Sequence, residues 1–207
     1  MMGIFQRLRQ APDAAARQES ESAFFSTVWH QGSQAPLVPW EARAVELGAR
    51  RLPAHAALRS LQALWAQDRH LATLTPPALR RMGRYLAFAA VKAQRDVIRQ
   101  DEYGNFMVVV LSGELVVNRS QPWGESLHLA HAGPGDLLGE MSLLDSGQRF
   151  SSCTTVVDSE LAVLSAEALD DMLQHDPALA AQLIAVLARK LSMRLRAVSA
   201  RLGHHPS

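Results

Sequence analysis

The chain has 207 residues, 48% hydrophobic and 20% charged, which excludes wholesale disorder and leaves room for one well-buried domain plus extra, not two of ordinary size. Twenty-one Lys plus Arg against twenty Asp plus Glu give a formal charge of +1, so bulk electrostatics offers no pull toward nucleic acid or anionic membrane. The lone cysteine, Cys153, excludes a disulfide framework, a four-thiolate zinc site and a protein-supplied iron–sulfur cage. Residues 1–10 lack a signal-type apolar core, and no apolar run approaches the ~20 residues of a membrane span. A soluble, cytoplasmic protein is expected.

Residues 1–75 read as a helical N-terminal extension and linker. Ile4, Phe5 and Leu8 make a short apolar stripe that Pro12 stops. Residues 31–39 are rich in Gly, Ser and Pro and read as a linker. Helices are predicted over 40–51 and 54–67, the second with Leu58, Leu61, Leu64 and Trp65 on one face. Both are too short to stand alone, so they brace the main domain or dock a partner.

Residues 76–207 read as the main domain. Thr75 followed by Pro76 and Pro77 is a helix start, and the helix is predicted over 78–88. The β-branched run Phe106 to Leu111 reads as a strand buried on both faces, paired as a hairpin with Leu115 to Val117 through Ser112-Gly113-Glu114. Further strands are predicted over 126–130, 153–157 and 160–164. Ser165 caps a helix containing Leu169, Met172 and Leu173, and Asp176-Pro177 restarts the chain into a helix over 178–202, closed by Gly203. Along it Ile184, Leu187, Leu191, Leu195, Val198 and Leu202 form an apolar seam long enough both to pack on the sheet and to pair with a second copy. The fold class is α+β: a sandwich or barrel of short antiparallel strands with flanking helices.

The stretch from Gly139 to Ser152 carries the chemistry. Gly139 permits a tight exit from a strand, and Glu140 to Leu144 form one or two helical turns with free N–H groups. Arg149 brings a planar, permanently charged fork suited to phosphate oxygens, and Glu140 is an acceptor for a sugar hydroxyl. Ser151 and Ser152 add small donors. A ribose phosphate fits this set better than a bare carboxylate, although Glu140 with Arg149 also reads as a structural ion pair in a turn.

Gly139-Glu140-Met141-Ser142-Leu143-Leu144, five residues, then Arg149 resembles the phosphate-binding cassette of the cyclic nucleotide-binding domain family, which includes the bacterial catabolite activators. The resemblance runs over about 76–202. Ile98 to Asp101, Leu111 to Glu114 and Gly133 to Asp136 are similar to that family's recurrent turns. It implies an antiparallel jelly roll (double-stranded β-helix) of eight strands with two closing helices. It also implies a ligand of the cAMP or cGMP type, held by Gly139, Glu140, Met141, Arg149, Phe150, Ser151 and Ser152. In that frame Glu140 takes the ribose 2′-hydroxyl, Arg149 the cyclic phosphate, and backbone N–H groups near Phe150 and Ser151 complete the cradle. No cofactor or metal is implied.

Two residues depart from the family pattern. Phe150 stands where a small residue is usual, so its ring points into the core or narrows the pocket. The base-contact stretch reads Ser192-Met193-Arg194-Leu195 in place of short hydroxyl residues, leaving Ser192, Arg194 and Leu195 as candidates. The chain ends without the helix-turn-helix of the family's transcription factors, so no DNA binding by this chain is expected.

His128 and His131, three apart on a strand, are expected on opposite sides of the sheet, against a cupin-type metal site. His204 and His205 read as tail, and Cys153 as a buried core residue. No nucleophile elbow, Walker loop or paired-histidine zinc helix occurs. The sequence thus reads as a non-catalytic cyclic nucleotide sensor, homodimeric through 178–202, that signals by contact with an unknown protein partner. The alternatives are a degenerate, non-binding scaffold of the same fold and a cyclic dinucleotide receptor using Arg194 or Arg196.

Overall fold

The structure, a computed structural model, describes residues 37–68 and 73–202. The expectations for Ile4, Phe5 and Leu8, for residues 31–36 and for residues 203–207 lie outside the described residues. Among the described residues, no helix is long and apolar enough to cross a membrane.

Two antiparallel sheets carry the fold. One has the order β4 (Asp96–Ile98), β10 (Ser152–Thr155), β7 (Leu115–Ser120), β8 (Ser126–Ala132). The other runs β2 (Arg50–Arg51), β3 (Ala87–Val91), β11 (Ser159–Ser165), β6 (Phe106–Ser112), β9 (Leu137–Leu138). A parallel pair, β1 (Leu37–Val38) with β5 (Tyr103–Gly104), lies outside both.

The run in β6 is buried on both faces, as its composition predicts. Phe106, Val108 and Val110 point into an inner core shared with Leu115 and Val117 of β7, Cys153 of β10 and Leu161 and Val163 of β11. Met107, Val109 and Leu111 point the other way, into a second core built with helices. Those helices are α2 (Ala54–Gln67), α3 (Pro76–Met82), α4 (Glu140–Asp145), α5 (Ala166–His175) and α6 (Pro177–Leu202). Helix α1 (Trp40–Leu47) instead caps the inner core through Trp40 and Leu47.

Helix α2 occupies the predicted residues. Leu61 and Trp65 are fully buried, and Leu58 and Leu64 partly so. At about 1.5–3 kcal/mol per buried large side chain, that face is what holds an otherwise marginal 14-residue helix. The compact unit starts at residue 36, so α1 and α2, read from sequence as part of an extension ending at 75, share the two cores of the main domain.

Several predicted elements differ. Helix α1 stops at Leu47 rather than 51, because Gly48 turns left-handed (φ 62°) and its N–H closes onto Val45 O. Arg50 and Arg51 then pair with β3. Within 31–39, Leu37 and Val38 form β1. Helix α3 starts as expected, with Thr75 Oγ1 accepting from the Ala78 N–H at 3.4 Å, but ends at Met82. The Ala-rich stretch after it, Ala87 to Val91, is a strand beside β11, its sheet pairing overriding a helix-favouring composition. The predicted hairpin is also corrected. β6 and β7 belong to different sheets, and the chain crosses between them at Gly113 (φ 89°). The true hairpin joins β7 to β8. Ser165 caps α5 as expected, accepting from the Ala168 N–H at 3.2 Å.

Candidate functional site

The loop between β9 and β10 contains α4 and returns to the sheet through Arg149. Two backbone bonds fix that return: the Asp101 N–H donates to Arg149 O at 2.9 Å, and the Arg149 N–H to Glu102 O at 2.8 Å. Asp101 adopts a left-handed conformation (φ 64°) to make this turn.

Arg149 does not reach into solvent. Its residue is 3% exposed, and its guanidinium lies 4.4 Å from the Phe106 ring centre. Nη1 donates to Gly139 O at 3.1 Å, while Nη2 is buried without a hydrogen-bond partner. Two glycines make room for the group. A Cβ on Gly104 would sit 2.5 Å from Nε, and one on Gly139 2.6 Å from Nη1. Gly139 is also left-handed (φ 79°), so no other residue would sit there unstrained. Burial pulls the Arg149 pKa down to about 10, Arg43 adds to the effect, and Glu102 and Glu140 oppose it. This is a desolvated cation with an unsatisfied donor.

Glu140 is 3% exposed and forms an ion pair with Arg194 of α6, whose Nη2 also donates to Leu137 O at 2.8 Å. The Glu140–Arg149 ion pair considered from sequence is therefore not the one formed. Of the base-contact candidates, Arg194 reaches the cassette, whereas Ser192 and Leu195 are exposed on the helix. Met141 is also exposed.

Phe150 corrects the expectation of a ring in the core or the pocket. It is 53% exposed, its ring stacks on the Arg119 guanidinium at 4.1 Å, and its carbonyl accepts from Arg119 Nη1. The Phe150 ring therefore does not fill the cassette. Ser152 Oγ accepts from the Gln100 N–H at 3.0 Å, which ties down a neighbouring turn. Ser151 is half-buried. Cys153 lies buried beneath, and burial pushes its thiol up to about 12.

Four supporting residues escape sequence reading. Gly104 and Phe106 form the floor under Arg149. Arg43 of α1, 2% exposed, pairs with Glu102, whose carbonyl holds the Arg149 N–H. Trp40 packs edge-on against Phe106 at 5.5 Å. Gly104 stands in a turn cluster that composition marks only as a turn, and nothing local signals that α1 reaches this wall.

Residues 89–176 match the family model for the cyclic nucleotide-binding domain. A cyclic AMP receptor protein of Thermus thermophilus is 38% identical over 97 residues, 47% of this chain and 45% of that one. The chain spans less than half the length of these curated relatives. Among solved structures, a cyclic nucleotide-binding domain from Methylobacillus flagellatus superposes with a TM-score of 0.69 at 23% identity, covering 77% of this chain and 90% of that one. The Thermus thermophilus catabolite activator protein superposes at 0.56 with 31% identity, covering 68% and 62%. Residues 89–176, which contain the cassette, are therefore a cyclic nucleotide-binding domain, similar in sequence to the catabolite activators.

Proposed function

We propose that the chain is a non-catalytic cyclic nucleotide sensor that signals through protein contacts. The observation that carries this reading is Arg149: a guanidinium held 3% exposed, with Nη2 unpartnered and its charge desolvated. A fold that keeps such a group gains from it only when an anion arrives. A cyclic phosphate supplies that anion, and its ribose hydroxyl finds Glu140 on the same loop. Gly139, Met141, Phe150, Ser151 and Ser152 supply the remaining cradle through the loop backbone. The Thermus relative is named for cyclic AMP, which makes that the first ligand to test, with cyclic GMP second.

In the free protein Glu140 is already engaged by Arg194, so ligand entry exchanges a guanidinium for a hydroxyl. That exchange unpins the end of α6 and is the means by which binding reaches the helix. Ligand shifts the helix only by its differential affinity for the pinned and released states. The output partner is a protein docking on the released helix, with dimerisation through α6.

Thermal denaturation with a panel of cyclic mono- and dinucleotides tests the reading. A rise in Tm with cyclic AMP or cyclic GMP that Arg149→Gln abolishes supports it. No shift with any member supports a non-binding scaffold, and a shift confined to a dinucleotide, lost in Arg194→Gln, supports the dinucleotide receptor.

A further inference from the structure

Strand alternation places His128 and His131 on opposite sides of β8, and the structure corrects this. Asn118 pairs with His128 and Val117 with Ala130, so Leu129 has no opposite residue and forms a β-bulge. Leu129 packs against the inner core. Both histidines emerge on the exposed face, with ring centres 4.6 Å apart and planes tilted by 58°.

Each ring has an acceptor beside Nδ1. Asn118 Oδ1 lies 3.2 Å from that of His128, and Glu114 Oε1 lies 2.5 Å from that of His131. An amide oxygen and a carboxylate only accept, so in the neutral rings Nδ1 carries the proton and Nε2 keeps its lone pair. This is the outer arrangement that orients metal-binding imidazoles. Two imidazoles bonded at about 2.0–2.1 Å to one tetrahedral ion have ring centres about 5 Å apart, close to the spacing seen.

We propose that His128 and His131 chelate a borderline divalent metal ion of the Zn²⁺, Ni²⁺ or Cu²⁺ class through their Nε2 atoms, oriented by Asn118 and Glu114. Nitrogen ligands select this class over Mg²⁺ or Ca²⁺. Among the described residues no group of three or more His, Cys, Asp and Glu side chains is placed to close a cage. The other coordination positions therefore open to solvent, and water or a donor from another molecule fills them. The site is therefore exchangeable.

Zinc titration of the tag-free full chain by calorimetry near neutral pH tests the assignment. One ion should bind per chain. His128→Gln and His131→Gln should each weaken binding by at least about tenfold, and Glu114→Gln by about tenfold through the lost orienting charge. All three positions lie at the surface, and circular dichroism of each variant confirms that the fold is kept. Replacing His204 and His205 together should change nothing. Absence of saturable binding overturns the proposal, as does binding that survives the His128→Gln/His131→Gln double variant or disappears with the tail histidines. Imidazole NMR gives a second reading: zinc must shift the Nε2 resonances of residues 128 and 131 and leave both Nδ1 protonated.

Discussion

Arg149 is a cation that the free protein keeps at a cost. Removing one partner of a buried pair strands a charge, but here the charge is already stranded, so replacing it with an apolar side chain of similar length relieves a penalty. The drop in pKa from the ordinary guanidinium value to about 10 corresponds to a penalty of about 3 kcal/mol. Arg149→Met is therefore expected to keep or raise Tm without ligand while losing every response to cyclic nucleotide. A fall in stability of more than about 2 kcal/mol, measured by urea denaturation, would show that the Phe106 and Gly139 contacts outweigh the desolvation. The sign also fixes a pH dependence. Folding favours the neutral guanidine, so wild type should gain stability relative to Arg149→Met as pH rises above about 10. Cys153 gives a simpler check. Burial pushes its thiol to about 12, so alkylation by iodoacetamide at mildly alkaline pH should be at least about a thousandfold slower in the native chain than in urea.

At the scale of elements, the cassette is held by what lies on either side of it. On one side is β5: a methyl group on Gly104 would collide with the Arg149 fork at 2.5 Å. Gly104→Ala should therefore displace the guanidinium, costing about 1–3 kcal/mol and reducing nucleotide affinity together. Unchanged affinity in a folded Gly104→Ala protein would mean that Arg149 has another resting place. On the other side is α6, whose Arg194 pins Glu140. Arg194→Gln should strengthen nucleotide binding about fivefold, about 1 kcal/mol for a pair whose arginine is half-exposed, and raise hydrogen exchange over 190–200 in the free protein. If the exchange rises and the affinity does not, the pair is a structural clasp and has no part in ligand entry.

These elements also mark how far the sequence could be read. The Gly139–Arg149 motif, the caps at Thr75 and Ser165 and the doubly buried β6 are written in short-range patterns. The bulge at Leu129, the crossing at Gly113 and the reach of Arg43 to Glu102 depend on which strands become neighbours, a long-range fact that no local spacing contains. Even Arg194 was legible only as a residue of the right helix. Its partner is Glu140 because of where α6 lands after α5 turns it back across the sheet.

For the whole molecule, the open question is what covers α6. Its first half is committed: Leu179, Ala180, Leu183, Val186 and Leu187 are buried in the helix-side core. From Ser192 to Ala200 the helix stands exposed, with Leu195 at 68% and Val198 at 53% accessible on one stripe. A seam of that spacing is what a second copy of the same helix would cover, one helix against its symmetry mate. The chain is therefore expected to be a dimer at micromolar concentration by light scattering. Leu195→Glu with Val198→Glu should make it monomeric. Because both side chains are already exposed in the single chain, the double variant should lose no more than about 1 kcal/mol of intrinsic stability. A wild-type monomer, or a dimer indifferent to both charges, would place the partner of this seam in another protein. In that case this exposed stripe of α6 would be the docking site for that protein.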